Sequence, residues 1–473
     1  MPATSDAAGR ANACLPMRDT DIVPRHGEPA GRGRRERIAL GLIGAALVAL
    51  VPAALAAHGR WDADYGFVAV VLTQCLLYVI AARRIRRIRP SRAVLAIVLA
   101  VAALLRLSLL FEDPLHSTDV YRYVWDGRVQ AEGINPYRYV PADPALSALR
   151  DQAIYPNINR ADYAVTIYPP AAQIAFRLFT RFGESLVAVK LGWLVLEAAM
   201  MVVLARLLTR AGRSPAELLL YAWHPLPVWE IAGDGHVDAG MAAFLIFALA
   251  AWAGRHRLLT GALLAVSVLF KPMTLAALPA FWRPWDWRVP VALLVTAILA
   301  YLPYTDVGTD VLGFLPRYVG EEGIGSGGGF IVLQALAQVF GPLPRWTTLA
   351  YLTLGAIVLS ALSFACIKEP RTDPATTAMR AQVLVFAFLL VLSANYSWYF
   401  LVLVPLGCLA PWMPARALTL LGVVLHAAGP VDGYPRAVLI QSLLYGTVMI
   451  AVAWNLYTDR HRRPQSLSRG PEA

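Results

Sequence analysis

Asp119 is the residue whose setting most suggests chemistry. It lies in HSTDVYRYVWDGRVQAEGINPYRYVPADP, His116 to Pro144, an acidic, aromatic and Arg-bearing stretch directly after an apolar run. A carboxylate just beyond a membrane segment can take the proton from a hydroxyl, or hydrogen-bond and orient that hydroxyl, where lipid headgroups meet water. The plainer reading is that Asp119 stabilises a helix start. A second constellation, GDGHVDAG from Gly233 to Gly240, gathers Asp234, His236 and Asp238. Carboxylate, imidazole and carboxylate in alternation can bind sugar hydroxyls or ligate a divalent cation, while Asp and Gly are also ordinary turn residues. Glu230, one helical turn earlier, is a lesser candidate. Lys271 interrupts an apolar run, where a lysine is expensive; it either serves function or snorkels from the end of a half-helix. Arg122, Arg128 and Arg317 could neutralise a departing phosphate. Arg122 and Arg128 could equally pair with Asp126 or Glu132.

These residues must be held by membrane helices. The 473-residue chain is 58% hydrophobic and only 15% charged, with a mean hydropathy of +0.54, which excludes a soluble domain and describes an all-α, polytopic membrane bundle. Long apolar runs exclude a barrel. The net charge of +11 does not imply a nucleic-acid partner. Arg32, Arg34, Arg35 and Arg37 precede the first apolar run, and Arg83, Arg84, Arg86, Arg87, Arg89 and Arg92 follow the second, the distribution of cytoplasmic loops. Cys14, Cys75, Cys366 and Cys408 lie far apart, so neither a disulfide framework nor a CxxC metal site is expected.

The pattern predicts a disordered cytoplasmic tail over residues 1–37, two N-terminal spans over 38–92, a membrane domain over 93–457 and a cytoplasmic tail over 458–473. Individual spans are expected at about 38–57, 66–82, 93–111, 184–208, 216–232 and 237–253, and then at 289–304, 346–367, 381–396, 398–411, 417–430 and 437–457, the apolar runs setting each limit. Residues 258–282, broken at Lys271 and Pro272, read as a hairpin of two half-helices. The total is roughly 12 to 14 crossings. Two outer loops remain, 112–183 and 305–345, and function is expected there.

In the first loop, Ser117 or Thr118 can cap a helix that has Asp119 in its first turn. A second helix opens at Pro170, with Gln173, Arg177 and Arg181 on one stripe and Ile174, Leu178 and Phe182 on another, a pattern suited to the membrane surface. GIGSGGG, Gly323 to Gly329, lacks the Lys-Ser/Thr of a phosphate loop and reads as a flexible connector or closing segment. In SANYSWYF, Ser393 to Phe400, Trp398 and Tyr399 read first as an interfacial belt, with sugar stacking as the alternative.

Asp119, the VWDGRVQAEGINPY run, the YPP of Tyr168 to Pro170 and the later GDGHVDAG together resemble GT-C glycosyltransferases. The closest resemblance is to bacterial polyprenyl-phosphate-mannose-dependent mannosyltransferases of the glycosyltransferase-87-like type, from about residue 93 onward. The resemblance implies transfer of a sugar, mannose foremost, from a polyprenyl phosphate to an extracytoplasmic glycan or glycolipid. It implies inversion, with Asp119 as base, in a bacterial inner membrane with both termini cytoplasmic. With Tyr168 of the YPP run, the candidate substrate contacts are Arg122, Arg128, Asp234, His236, Asp238, Lys271 and Arg317. No cofactor is required, although a divalent cation remains compatible with GDGHVDAG. The alternative is a lipid-linked sugar flippase or secondary transporter, which predicts charge near mid-membrane and a path open to both faces.

Overall fold

The computed structural model describes residues 31–59, 64–368, 373–428 and 435–462. Among these residues every regular element is helical, and eight helices are long and apolar enough to cross a membrane. The chain is an all-α membrane protein, with six further apolar helices of 10–17 residues. Three long helices lead: α1 (Gly31–Ala57), α2 (Tyr65–Ile85) and α3 (Arg92–Leu110). The first residues of α1 fall in the segment expected to be a disordered tail. Arg and Glu are good helix formers, and Glu36 meets Arg84 of α2 at 3.0 Å, so the helix starts before the apolar run does. Residues 1–30 of that tail lie outside the described residues. At the other end the helix Pro435–Arg462 runs into the expected C-terminal tail, whose residues 463–473 are likewise outside.

α4 (Asp119–Ala131) and α5 (Pro170–Thr180) are the two helices expected in the first long loop, and α6 (Leu186–Arg210) follows. α4 and α5 pack in close contact. A Cβ on Gly127 would lie 2.5 Å from Thr180 Oγ1 and 2.8 Å from the Phe176 carbonyl. Tyr123 stacks on Phe176 at 4.5 Å, and Gln130 Nε2 donates to Gln173 Oε1 at 2.9 Å. Gln173 is therefore buried rather than solvated, and the side of α5 left exposed is the apolar stripe of Ile174, Leu178 and Phe182.

Side-chain caps start the spans on either side of this pair. Ser91 accepts from Val94 N at 3.2 Å and Ser185 from Ala188 N at 3.2 Å, each meeting one of the amides a helix start leaves unpaired. Within the bundle α3 and α6 are joined by a buried fork: Arg106 Nη2 and Nε reach Glu197 Oε1 and Oε2 at 2.8 and 3.2 Å. Tyr221 donates to the same carboxylate at 2.7 Å, and Arg106 also donates to the Ala222 carbonyl. A buried ion pair with its hydrogen bonds met is tolerated where a lone charge is not.

Two expected elements differ. The span expected at 216–232 is a buried series of short 3-10, α and π turns rather than one helix, because Pro225 and Pro227 remove ladder donors. Residues 305–345 are not an open loop; they hold the helices Leu315–Glu321 and Ile331–Phe340. The break at Lys271 is where expected. The helix Arg257–Val268 packs on the 3-10 helix Pro272–Phe281; Ser267 Oγ links the two, lying 3.1 Å from Thr274 Oγ1, and also bonds Met241 O of the preceding helix at 2.7 Å.

Candidate active site

A cavity of about 490 Å³ opens where the end of α3, the start of α4, the loop before α5 and the break at Lys271 converge. Asp119, half-buried at the start of α4, is the one carboxylate among its lining residues. Its amide donates to Ser117 Oγ at 3.2 Å, so Ser117 rather than Thr118 satisfies the first turn. The Asp119 carboxylate is aimed by Asn159, whose Nδ2 donates to Oδ1 at 2.9 Å.

Besides His116, three Lys and Arg cations line the cavity with this carboxylate. Lys271 Nζ pairs with Asp238 Oδ2 at 2.6 Å and lies 4.5 Å from the centre of the Tyr399 ring. Arg122 pairs with Asp126 at 2.7 Å, one of the partners anticipated for it, and donates to Ala164 O at 3.1 Å, yet still lines the cavity. Arg160 binds Glu321 at 2.8 Å and lies over the Tyr318 ring. Tyr396, Trp398 and Tyr399 also line the cavity. Trp398 and Tyr399, expected first as an interfacial belt, instead line the cavity as a wall, with Trp398 stacked on His236 at 4.2 Å and on Tyr396 at 4.6 Å.

Not every expected residue reaches the cavity. Arg128 is held by Asp151 at 2.6 Å and Glu184 at 2.7 Å and secures the loop behind α4. Arg317 points outward on the helix Leu315–Glu321, whose Leu315 and Tyr318 face the cavity. Asp234, His236 and Asp238 are fully buried beneath it and act on its walls. Asp234 Oδ1 accepts from Leu115 N at 2.6 Å, Asp238 holds Lys271, and His236 backs Trp398. His116 bridges Asp64 at 2.7 Å and Asp234 at 3.6 Å. Burial alone would lower its imidazole, but those two carboxylates outweigh it and push it up to about 9. The loop between α1 and α2, which carries Asp64, thus contacts a cavity residue, a contribution that the first two spans were not expected to make.

The Gly-rich segment is compact rather than free. Gly329 N donates to Gly323 O at 3.2 Å, and a Cβ on Gly329 would lie 2.1 Å from the Glu322 carbonyl. The second loop is docked on the first: Phe314 N donates to Thr166 O at 3.0 Å, and Asp306 takes Asn135 and Arg138. Asn159, Arg160 and Tyr318 are the site residues that the sequence reading passes over. Arg160 carries one local oddity, a φ of 55°, which is uncommon for a residue with a side chain.

The cavity can therefore orient a hydroxyl on Asp119, accept an anion among three cations and stack a sugar on an aromatic wall. A family model described as alpha-(1->6)-mannopyranosyltransferase, N-terminal domain, matches residues 38–285, just over half of the chain. Neither a curated protein nor a solved structure matches.

Proposed function

We propose, from the premise that the chain belongs to the alpha-(1->6)-mannopyranosyltransferase family, that this mannosyltransferase takes mannose from a polyprenyl phosphate and passes it to an extracytoplasmic glycan or glycolipid. The fold is read as GT-C, with short apolar helices adding to the eight long ones for roughly 12 to 14 crossings. The cavity lies on the extracytoplasmic side of a bacterial inner membrane, with both termini cytoplasmic.

The observation that carries the reading is the lone cavity carboxylate, Asp119, facing Lys271, Arg122 and Arg160. In a single displacement the acceptor hydroxyl gives its proton to Asp119 as its oxygen bonds the anomeric carbon. The bond from that carbon to the phosphate oxygen breaks, and its electron pair leaves with the polyprenyl phosphate among the three cations. One carboxylate suffices for inversion, and the cavity offers no second one to form a glycosyl intermediate. The pairing of Lys271 with Asp238 removes the unpartnered charge that favoured a transporter.

The test is transfer by membrane fractions from a panel of labelled polyprenyl-phosphate sugars, comparing wild type with Asp119→Asn. Transfer from the mannosyl lipid that collapses in the variant supports the reading. Full activity in the variant sinks the base, and transport across vesicles without transfer from any donor sinks the enzyme.

A further inference from the structure

We propose that Glu230, Asp234 and His236 bind one divalent transition-metal ion, Zn²⁺ or Mn²⁺, beneath the cavity floor. The three side chains are fully buried, and one donor atom from each lies within 4.8 Å of the others. Glu230 Oε2 and both ring nitrogens of His236 have no hydrogen-bond partner among the described residues. Buried polar atoms are rarely left so, because desolvating them without a partner is costly. An ion takes one of the two ring nitrogens, so that nitrogen and Glu230 Oε2, lying in one cluster, point to a shared partner.

The spacing identifies that partner's class. His236 Nε2 lies 3.4 Å from Glu230 Oε2, long for a hydrogen bond. Two ligands each about 2.1 Å from a tetrahedral ion stand about 3.4 Å apart. One imidazole with two carboxylates suits Zn²⁺ or Mn²⁺ better than the all-oxygen shell of Ca²⁺ or Mg²⁺.

The backbone builds the cluster. Residues Val228–Gly233 form a π-helical turn, a widening frequent at functional sites, and His236 N donates to Glu230 O at 2.9 Å to close the segment. Gly235, at φ +72°, makes the turn between Asp234 and His236. Around the cluster, His426 Nε2 lies 3.4 Å from Glu230 Oε1, Ser397 donates to that same oxygen, and His116 faces Asp234 Oδ2. An ion here fixes the His236 ring behind Trp398 and Asp234 under Leu115, so it positions the wall and floor without touching the reacting atoms. The inference stands on these donors and not on mannosyl transfer.

The full chain, purified in detergent and stripped with chelator, is loaded with Zn²⁺ or Mn²⁺, desalted and assayed for metal by mass spectrometry. Wild type retains a stoichiometric ion, Glu230→Gln and His236→Gln bind it about tenfold or more weakly, and Asp119→Asn retains it. His58→Ala, which disables the other grouping of His58, Asp64 and His116, also retains it. Should His236→Gln fail to fold, His236→Cys keeps a ligand and gives a thiolate-to-Co²⁺ charge-transfer band on cobalt loading. The proposal is overturned if wild type retains neither ion, if the Glu230 and His236 variants match wild type, if the ion is lost in His58→Ala, or if the cysteine variant shows no band. Because metal content is read without any transfer assay, failure here leaves the transferase reading intact, and the reverse also holds.

Discussion

Lys271 Nζ lies 2.6 Å from Asp238 Oδ2, and the aspartate is fully buried. Removing one member strands the other, at a cost of about 3–5 kcal/mol for a buried pair. Lys271→Met alone should lower thermal stability in detergent, and adding Asp238→Asn should restore part of the loss. Equal destabilisation in the single and double variants would show that the pair contributes packing rather than charge balance.

Asp119 and Asn159 make a graded prediction. Losing a general base costs about 10²–10⁴-fold in rate, so Asp119→Asn should drop transfer by that order with the fold unchanged. Asn159→Ala removes only one orienting hydrogen bond, worth about 1 kcal/mol or roughly fivefold. The measurement is initial transfer rate at saturating donor, with thermal unfolding as the control for folding.

Asp151 predicts a local acid sensitivity. Burial would raise its carboxyl, but the amides of Ile154 and Tyr155 and the Arg128 guanidinium outweigh that and hold it below the ordinary value. A group lowered on folding stabilises above its unfolded value, about 3.9, and loses that contribution as pH falls further. Hydrogen-exchange protection of the Ile154 and Tyr155 amides should therefore fall below about pH 4. Asp151→Asn should show low protection at neutral pH and a flatter profile. Because Asp151 is partly exposed, the effect should stay confined to this segment.

Gly329→Ala should destabilise the docked second loop, since the added methyl meets the Glu322 carbonyl at 2.1 Å. Limited proteolysis between residues 314 and 345 should quicken, whereas Gly325→Ala, with open space around it, should leave the rate unchanged. Equal rates in the two variants would restore the reading of this segment as a free connector.

Hydropathy made the long helices legible because their apolar content exceeds any local ambiguity. The position of Asp119 was legible for a related reason: polarity changes abruptly at the end of α3. The pairing of Lys271 with Asp238 was not, since 33 residues separate them and only the packing of the helix Asp238–Ala253 against the broken hairpin brings them together. Asn159 and Arg160 carry no motif and come to the cavity, Asn159 onto Asp119 itself, through irregular backbone that no periodicity encodes. Arg128 misled for the opposite reason. It is near Asp119 in sequence, but it lies more than two helical turns away, on a part of α4 that faces Asp151 and Glu184.

The contact at Gly127 has a mechanical consequence. With no room for a methyl between α4 and α5, the two helices form one rigid raft, and the raft's outer edge is the exposed stripe of Ile174, Leu178 and Phe182. Asp119, at the head of α4, keeps a fixed place relative to that edge, so whatever covers the stripe also sets where the carboxylate stands.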